Sequence, residues 1–160
     1  MKKSLLFLVI LITTYTCYSQ TPLMLKKSDV QSKAFRVANN LDSVLRLYDD
    51  QEVGLATFED NEIFFINKDK GVKKLYLNSK DLERINKPFD FSDSIQMILI
   101  KISDLDFDLQ RIDCSRLHEF KSLKYIFYII ETKLDTQEKL AKPNCFTKKV
   151  KQFITIEIPT

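Results

Sequence analysis

The chain has 160 residues, with 25 lysines and arginines against 22 aspartates and glutamates and a net charge of +3. Such a near balance argues against a nucleic-acid-binding surface. With only two glycines and four prolines, tight hairpin turns that need positive φ are scarce, which argues against an all-β sandwich and for helical or wide connections.

The first nineteen residues follow the three-part plan of a secretory signal. Lys2 and Lys3 are followed by the unbroken apolar run Leu5 to Ile12, and Cys17-Tyr18-Ser19 places small residues at −3 and −1 of a cut before Gln20. The run is far short of the roughly 20 apolar residues that span a bilayer. Lipid attachment at Cys17 is the other reading, but Thr14, Tyr15 and Thr16 do not supply the aliphatic and small residues such a signal wants. Loss of Lys2 and Lys3 takes the net charge from +3 to +1 and leaves residues 20–160, the length of one domain. The expected setting is the periplasm or the exterior of the cell, with no membrane span after cleavage.

Residues 20–27 read as a flexible leader, and 28–160 as a single domain. Ser28 or Asp29 is placed to cap a helix whose apolar positions, Val30, Ala34, Val37, Ala38, Leu41, Val44, Leu45 and Tyr48, form one stripe. Thr57-Phe58-Glu59-Asp60 resembles a capping box, so 58–66 reads as a second short helix within a helical cap over 28–66. The run Ile63-Phe64-Phe65-Ile66 is equally acceptable as a strand, because periodicity does not assign a short apolar run.

Further on, four segments share a pattern. Val72-Lys-Lys-Leu-Tyr-Leu, Ile95-Gln-Met-Ile-Leu-Ile, Leu123-Lys-Tyr-Ile-Phe-Tyr and Val150-Lys-Gln-Phe-Ile-Thr each open on an apolar residue and repeat one three positions later. Their spacing lies within the 20–50 residues typical of stacked repeats. Over about 57–158, with Thr57-Phe58-Glu59-Asp60 as a short cap and the strands over 72–158, the chain resembles the leucine-rich-repeat family, in which each repeat contributes one strand to a curved solenoid. The ladder asparagine of that family is missing, with Lys80, Ser103, Glu131 and Ile158 in its place, although Leu82 and Leu105 match the leucine that follows. The resemblance implies an α/β fold: a short solenoid of about four parallel strands behind an N-terminal helical cap. A compact α+β domain, with the same strands antiparallel beneath the first helix, is the alternative.

No constellation of residues rises to a catalytic or metal-binding motif, so no cofactor and no metal are expected. Asp104, Asp106 and Asp108 resemble the opening of a calcium loop, but Leu109 and Ser115 stand where its glycine and closing glutamate belong. His118 is the only histidine, and Cys114 four residues before it lacks any surrounding nucleophile signature. Gly71 has no companion glycines for a phosphate loop. Cys114 and Cys145 are free to form one disulfide in an oxidising compartment, two buried thiols being the alternative.

Stacked in parallel, the four segments would align their outward positions into lanes. One holds Lys73, Gln96, Lys124 and Lys151, the next Lys74, Met97, Tyr125 and Gln152, and a third Tyr76, Leu99, Phe127 and Ile154. An apolar lane beside a basic one reads as a protein-binding face with a lysine rim, unless the helix over 29–48 covers it and makes it core. The apolar run of 150–158 near the end of the sequence suggests self-association through a free edge. The expected function is an exported, non-catalytic module that binds a protein partner. An exported inhibitor or immunity-type protein and a small hydrolase with a scattered site are the alternatives.

Overall fold

The computed structural model describes residues 22–59, 62–86, 89–103, 117, 119–131 and 150–156. Seven strands among them form one sheet: β1 (Leu23–Leu25), β2 (Gly54–Glu59), β3 (Glu62–Ile66), β4 (Val72–Asn78), β5 (Met97–Ile102), β6 (Tyr125–Ile130) and β7 (Lys151–Ile156). Their order across the sheet is β1-β7-β6-β5-β4-β2-β3. All neighbours pair in parallel except β3, which returns antiparallel on β2. Strands such as Met-Ile-Leu-Ile-Lys-Ile and Tyr-Ile-Phe-Tyr-Ile-Ile are apolar on both faces, as parallel strands covered on two sides must be.

Each face of the sheet carries its own core. On one side Leu75, Leu77, Ile98, Ile100, Ile126, Tyr128 and Ile154 meet Leu82 from the β4–β5 connection and Leu117, Phe120 and Leu123 from the β5–β6 connection. On the other, Met97, Leu99, Phe127, Ile129 and Phe153 pack with Leu25, Leu41 and Val44. That second side is covered by three short helices, α1 (Lys27–Gln31), α2 (Lys33–Ala38) and α3 (Asp42–Asp49). They carry the chain from β1 at one edge to β2 near the other.

The expected single helix is therefore broken twice, and the residues at the breaks explain it. Ser32 leaves helical geometry at ψ 111° and its hydroxyl accepts the Phe35 amide, a local bond that competes with continuing α1. Asn40 sits at φ 53°, a conformation that asparagine tolerates better than most residues and that ends a helix. The breaks redirect the apolar stripe: Leu41 and Val44 are fully buried, whereas Val37 is 60% exposed. Arg36 ties the pieces together, donating to the Val30 carbonyl and to the Asp42 carboxylate.

Other boundaries also differ. The cap over 28–66 is helical only to Asp49, since Gly54–Glu59 and Glu62–Ile66 are two antiparallel strands. The expected leader is not loose throughout, because Leu23, Met24 and Leu25 pair with Phe153, Ile154 and Thr155. The sheet is mixed α/β in character and is not a solenoid: helices cover the face that a repeat array leaves open, and an antiparallel hairpin extends the sheet at one end.

Candidate functional site at an open sheet edge

The apolar lane is half right in register and wrong in exposure. Tyr76, Leu99 and Phe127 do align across β4, β5 and β6, as do Lys74, Met97 and Tyr125. In β7 the register moves by one residue, so Phe153 stands beside Phe127 and Lys151 beside Tyr125. A one-residue slip turns every side chain to the other face. Ile154 accordingly belongs to the opposite core, and Gln152 is buried there accepting from the Tyr128 hydroxyl at 3.1 Å. The shift stacks Phe153 on Phe127, with ring centroids 4.8 Å apart.

The helices cover this lane. Phe127 is 2% exposed and Leu99 8%, and Met97 is fully buried. Tyr76 and Tyr125 are half-buried against the same cluster, and Ser43 on α3 lies 3.4 Å from the Tyr125 hydroxyl. Lys74 is buried as well. Its ammonium donates to the carbonyls of Tyr48 and Asp50 at the C-terminal end of α3, where a helix leaves carbonyls unpaired and favours a cation. Desolvation holds Lys74 below the usual lysine range, an effect opposed by the nearby Asp50 and Asp49 carboxylates. The seven residues expected to form a binding face are thus core or half-buried beside it.

The basic rim is brought together in part at the N-terminal ends of the strands. Gln96 donates its amide to the Lys73 carbonyl and Lys124 to Gln96, so these three residues form one row, whereas Lys151, whose amide bonds to the Lys124 carbonyl, stands beside Tyr125 and faces the other way. Lys124 and Lys151 are exposed and Lys73 half-buried. The expected free edge on β7 is occupied, since β1 pairs along it.

The long open edge lies at the other end, on β3. Among the described residues this strand hydrogen-bonds to β2 on one side only, and alternate residues of an edge strand turn their N–H and C=O groups outward. Ile63 and Phe65 face the core side, where Phe65 packs edge-on against Phe91 at 5.5 Å and Lys68 lies over the Phe65 ring at 4.4 Å. Phe64 and Ile66 face the other way, beyond the reach of the helices, and are 50% and 55% exposed. They stand opposite Thr57 and Leu55 of β2, which in turn neighbour Tyr76 and Lys74. Phe64, Ile66, half-buried Leu55 and half-buried Tyr76 make an apolar surface continuous with unpaired backbone.

Two features usually blunt such an edge: charged or proline residues within the strand, and a bulge that twists it away. The only charge within β3 is Glu62, at its first position, and the one register shift of the hairpin region lies on the inner side of β2, at Gly54/Leu55. The edge at β1 is different, being three residues long and followed by exposed Lys26 and Lys27. The sequence held the signal for β3 in Ile63-Phe64-Phe65-Ile66, but not the fact that two of these four residues stand half exposed, with no described element over them.

The residues of the expected signal (1–19, with Cys17), Asp104, Asp106, Asp108, Cys114, His118 and Cys145 lie outside the described residues. Among the described residues no group of three or more histidine, cysteine or acidic side chains is placed to hold a metal ion, and no helix is long and apolar enough to cross a membrane. No protein-family model, no curated protein and no solved structure matches the chain. Any functional reading therefore stands on the geometry of the site.

Proposed function

We propose that this is an exported, non-catalytic binding module that takes up a strand of another polypeptide along β3. The observation that carries the reading is the coincidence of an unpaired strand edge with two large apolar side chains, Phe64 and Ile66, on its uncovered face. In strand addition the backbone supplies the main hydrogen bonds while alternate side chains supply selectivity. Fully burying a phenylalanine or isoleucine contributes about 1.5–3 kcal/mol, so half-exposed Phe64 and Ile66 hold much of that in reserve for a partner. The row of Lys73 and Lys124 adds a positive border on the neighbouring end of the sheet, suited to orienting an acidic partner.

The test compares the wild-type chain with Phe64→Ser and Ile66→Ser as immobilised bait for envelope and culture-fluid proteins of the native cell. Expected is a partner retained by the wild type and lost with either variant, at a melting temperature within a few degrees of the wild type. Equal retention by all three would remove β3 as the binding edge.

A further inference from the structure

Resting on the reading of β3 as a binding edge, we infer that the edge takes a second copy of this chain, β3 against β3 in antiparallel two-fold register. The argument is the self-complementarity of one short strand, Glu62-Ile63-Phe64-Phe65-Ile66, with an acidic hairpin end before it and the basic turn Lys68–Lys70 after it. When a strand pairs with its own reverse about Phe65, Phe64 of one copy meets Ile66 of the other, twice, and the two Phe65 residues meet at the axis. Those are the two side chains that the fold leaves exposed on one face. At each end of the contact Glu62 of one copy comes near the turn that Lys68 opens in the other, also twice, since β3 ends at Ile66 and Asn67 turns the chain out of the strand at φ 51°. Both residues are exposed.

Charge selects this orientation over the parallel one. The hairpin end of β3 carries Glu59 and Glu62, and the opposite end carries Lys68 and Lys70. Parallel self-pairing would set acid on acid and base on base, and like charges directly opposite one another are destabilising. An antiparallel pair sets each acidic end against a basic one. A two-fold axis also makes the contact isologous, so it closes at a dimer and leaves no further β3 edge to recruit a third copy. The two sheets would then run on as one, with fourteen strands from the seven described in each chain.

The contact is small. Two five-residue strands and four half-exposed side chains fall at the low end of interface sizes, which points to a Kd on the order of 100 μM. Such an assembly forms where the chain is concentrated and comes apart on dilution.

Sedimentation velocity over a concentration series that spans this value, on chain purified from cells expressing the full-length sequence, tests it. The wild type is expected to pass from monomer to dimer with no higher species. Glu62→Lys and Lys68→Glu should each raise Kd by about threefold, since each brings like charges near one another at two symmetry-related places. The double exchange Glu62→Lys with Lys68→Glu should recover most of the loss, because it restores an opposite pair at each place. Recovery by the exchange is specific to antiparallel self-pairing and is not expected of a contact elsewhere. Phe64→Lys should leave only monomer.

A wild type that stays monomeric throughout the series overturns the second copy, and so does a dimer indifferent to these substitutions. If the monomer still retains another protein in a manner lost with Phe64→Ser, the edge remains a binding site and only its occupant changes. If neither dimer nor retained partner is found, both readings fall.

Discussion

The ring of Tyr48, in the last turn of α3, lies 5.0 Å from the ring of Phe127 in the middle of β6. This contact makes the central lane of the sheet an interior rather than a docking face, and it leads to a direct expectation. Phe127→Ala should destabilise the fold by about 3–5 kcal/mol, the range for deleting a fully buried phenylalanine, read as a large fall in urea midpoint. Ser substitution of Phe64, half exposed on β3, should change the midpoint little. Comparable effects at the two positions would mean that the helices do not hold Phe127 in the core.

The positions of β4 to β7 were legible because each carries a recurrent apolar run, and the alignment of Tyr76, Leu99 and Phe127 followed from counting positions, whereas the sequence left parallel and antiparallel pairing both open. Two further things were not legible. The shift in β7 depends on Gln152 finding the Tyr128 hydroxyl and on Phe153 finding Phe127, long-range pairings that no local pattern encodes. The covering of the lane depends on where the helices lie after Ser32 and Asn40 break them, which periodicity over 29–48 conceals. Likewise, Ile63-Phe64-Phe65-Ile66 announced a strand or a helix, but only the sheet order shows that it is an edge.

Lys74 provides a second prediction. Its ammonium closes the end of α3 through the Asp50 carbonyl at 2.6 Å and the Tyr48 carbonyl at 3.3 Å. Lys74→Met keeps the apolar stem and removes these charge-assisted bonds, so a loss of about 1.5–3 kcal/mol is expected, with amide exchange of the last turn of α3 accelerating first. Because burial depresses the folded pKa below the unfolded value of about 10.4, the unfolded chain binds more protons at this site between the two values. Stability therefore rises with pH through that window. The advantage of wild type over Lys74→Met should widen as pH climbs toward about 10.4; an advantage that shrinks there would contradict the desolvated placement.

Gly54 and Gly71 make a third comparison. A Cβ on Gly54 would come within 2.5 Å of the Gly71 carbonyl oxygen and 2.9 Å of that of Asn67, both backbone atoms, whereas a Cβ on Gly71 meets nothing. Gly71 is instead constrained by its φ of 79°. Gly54→Ala should cost about 3 kcal/mol through forced displacement of the β2–β4 junction, and Gly71→Ala about 1–3 kcal/mol through backbone strain alone. Chemical-shift changes should extend from residue 54 to 67 and 71 in the first variant and stay local in the second. A silent Gly54→Ala would show that the junction is looser than its geometry.

The fourth prediction concerns the buried pair on the opposite core. Tyr128 is fully buried and its hydroxyl donates to the Gln152 side-chain carbonyl at 3.1 Å, a polar link between the middle of β6 and β7 inside an apolar layer. Tyr128→Phe leaves that carbonyl short of a buried donor and should cost about 1–3 kcal/mol. Pairing it with Gln152→Met removes both polar partners and should recover part of the loss, since replacing both groups by apolar ones of similar shape is far cheaper than orphaning one. Burial raises the Tyr128 pKa well above its ordinary value, while in the unfolded chain the phenol ionises near about pH 10. The contribution of the group is therefore fully present below about pH 10 and is lost as pH rises above it. The wild type should lose stability more steeply than Tyr128→Phe in that range, so the two melting curves converge with rising pH. Parallel pH profiles would place Tyr128 in contact with solvent, and with it the middle of β6 and the core that packs upon it.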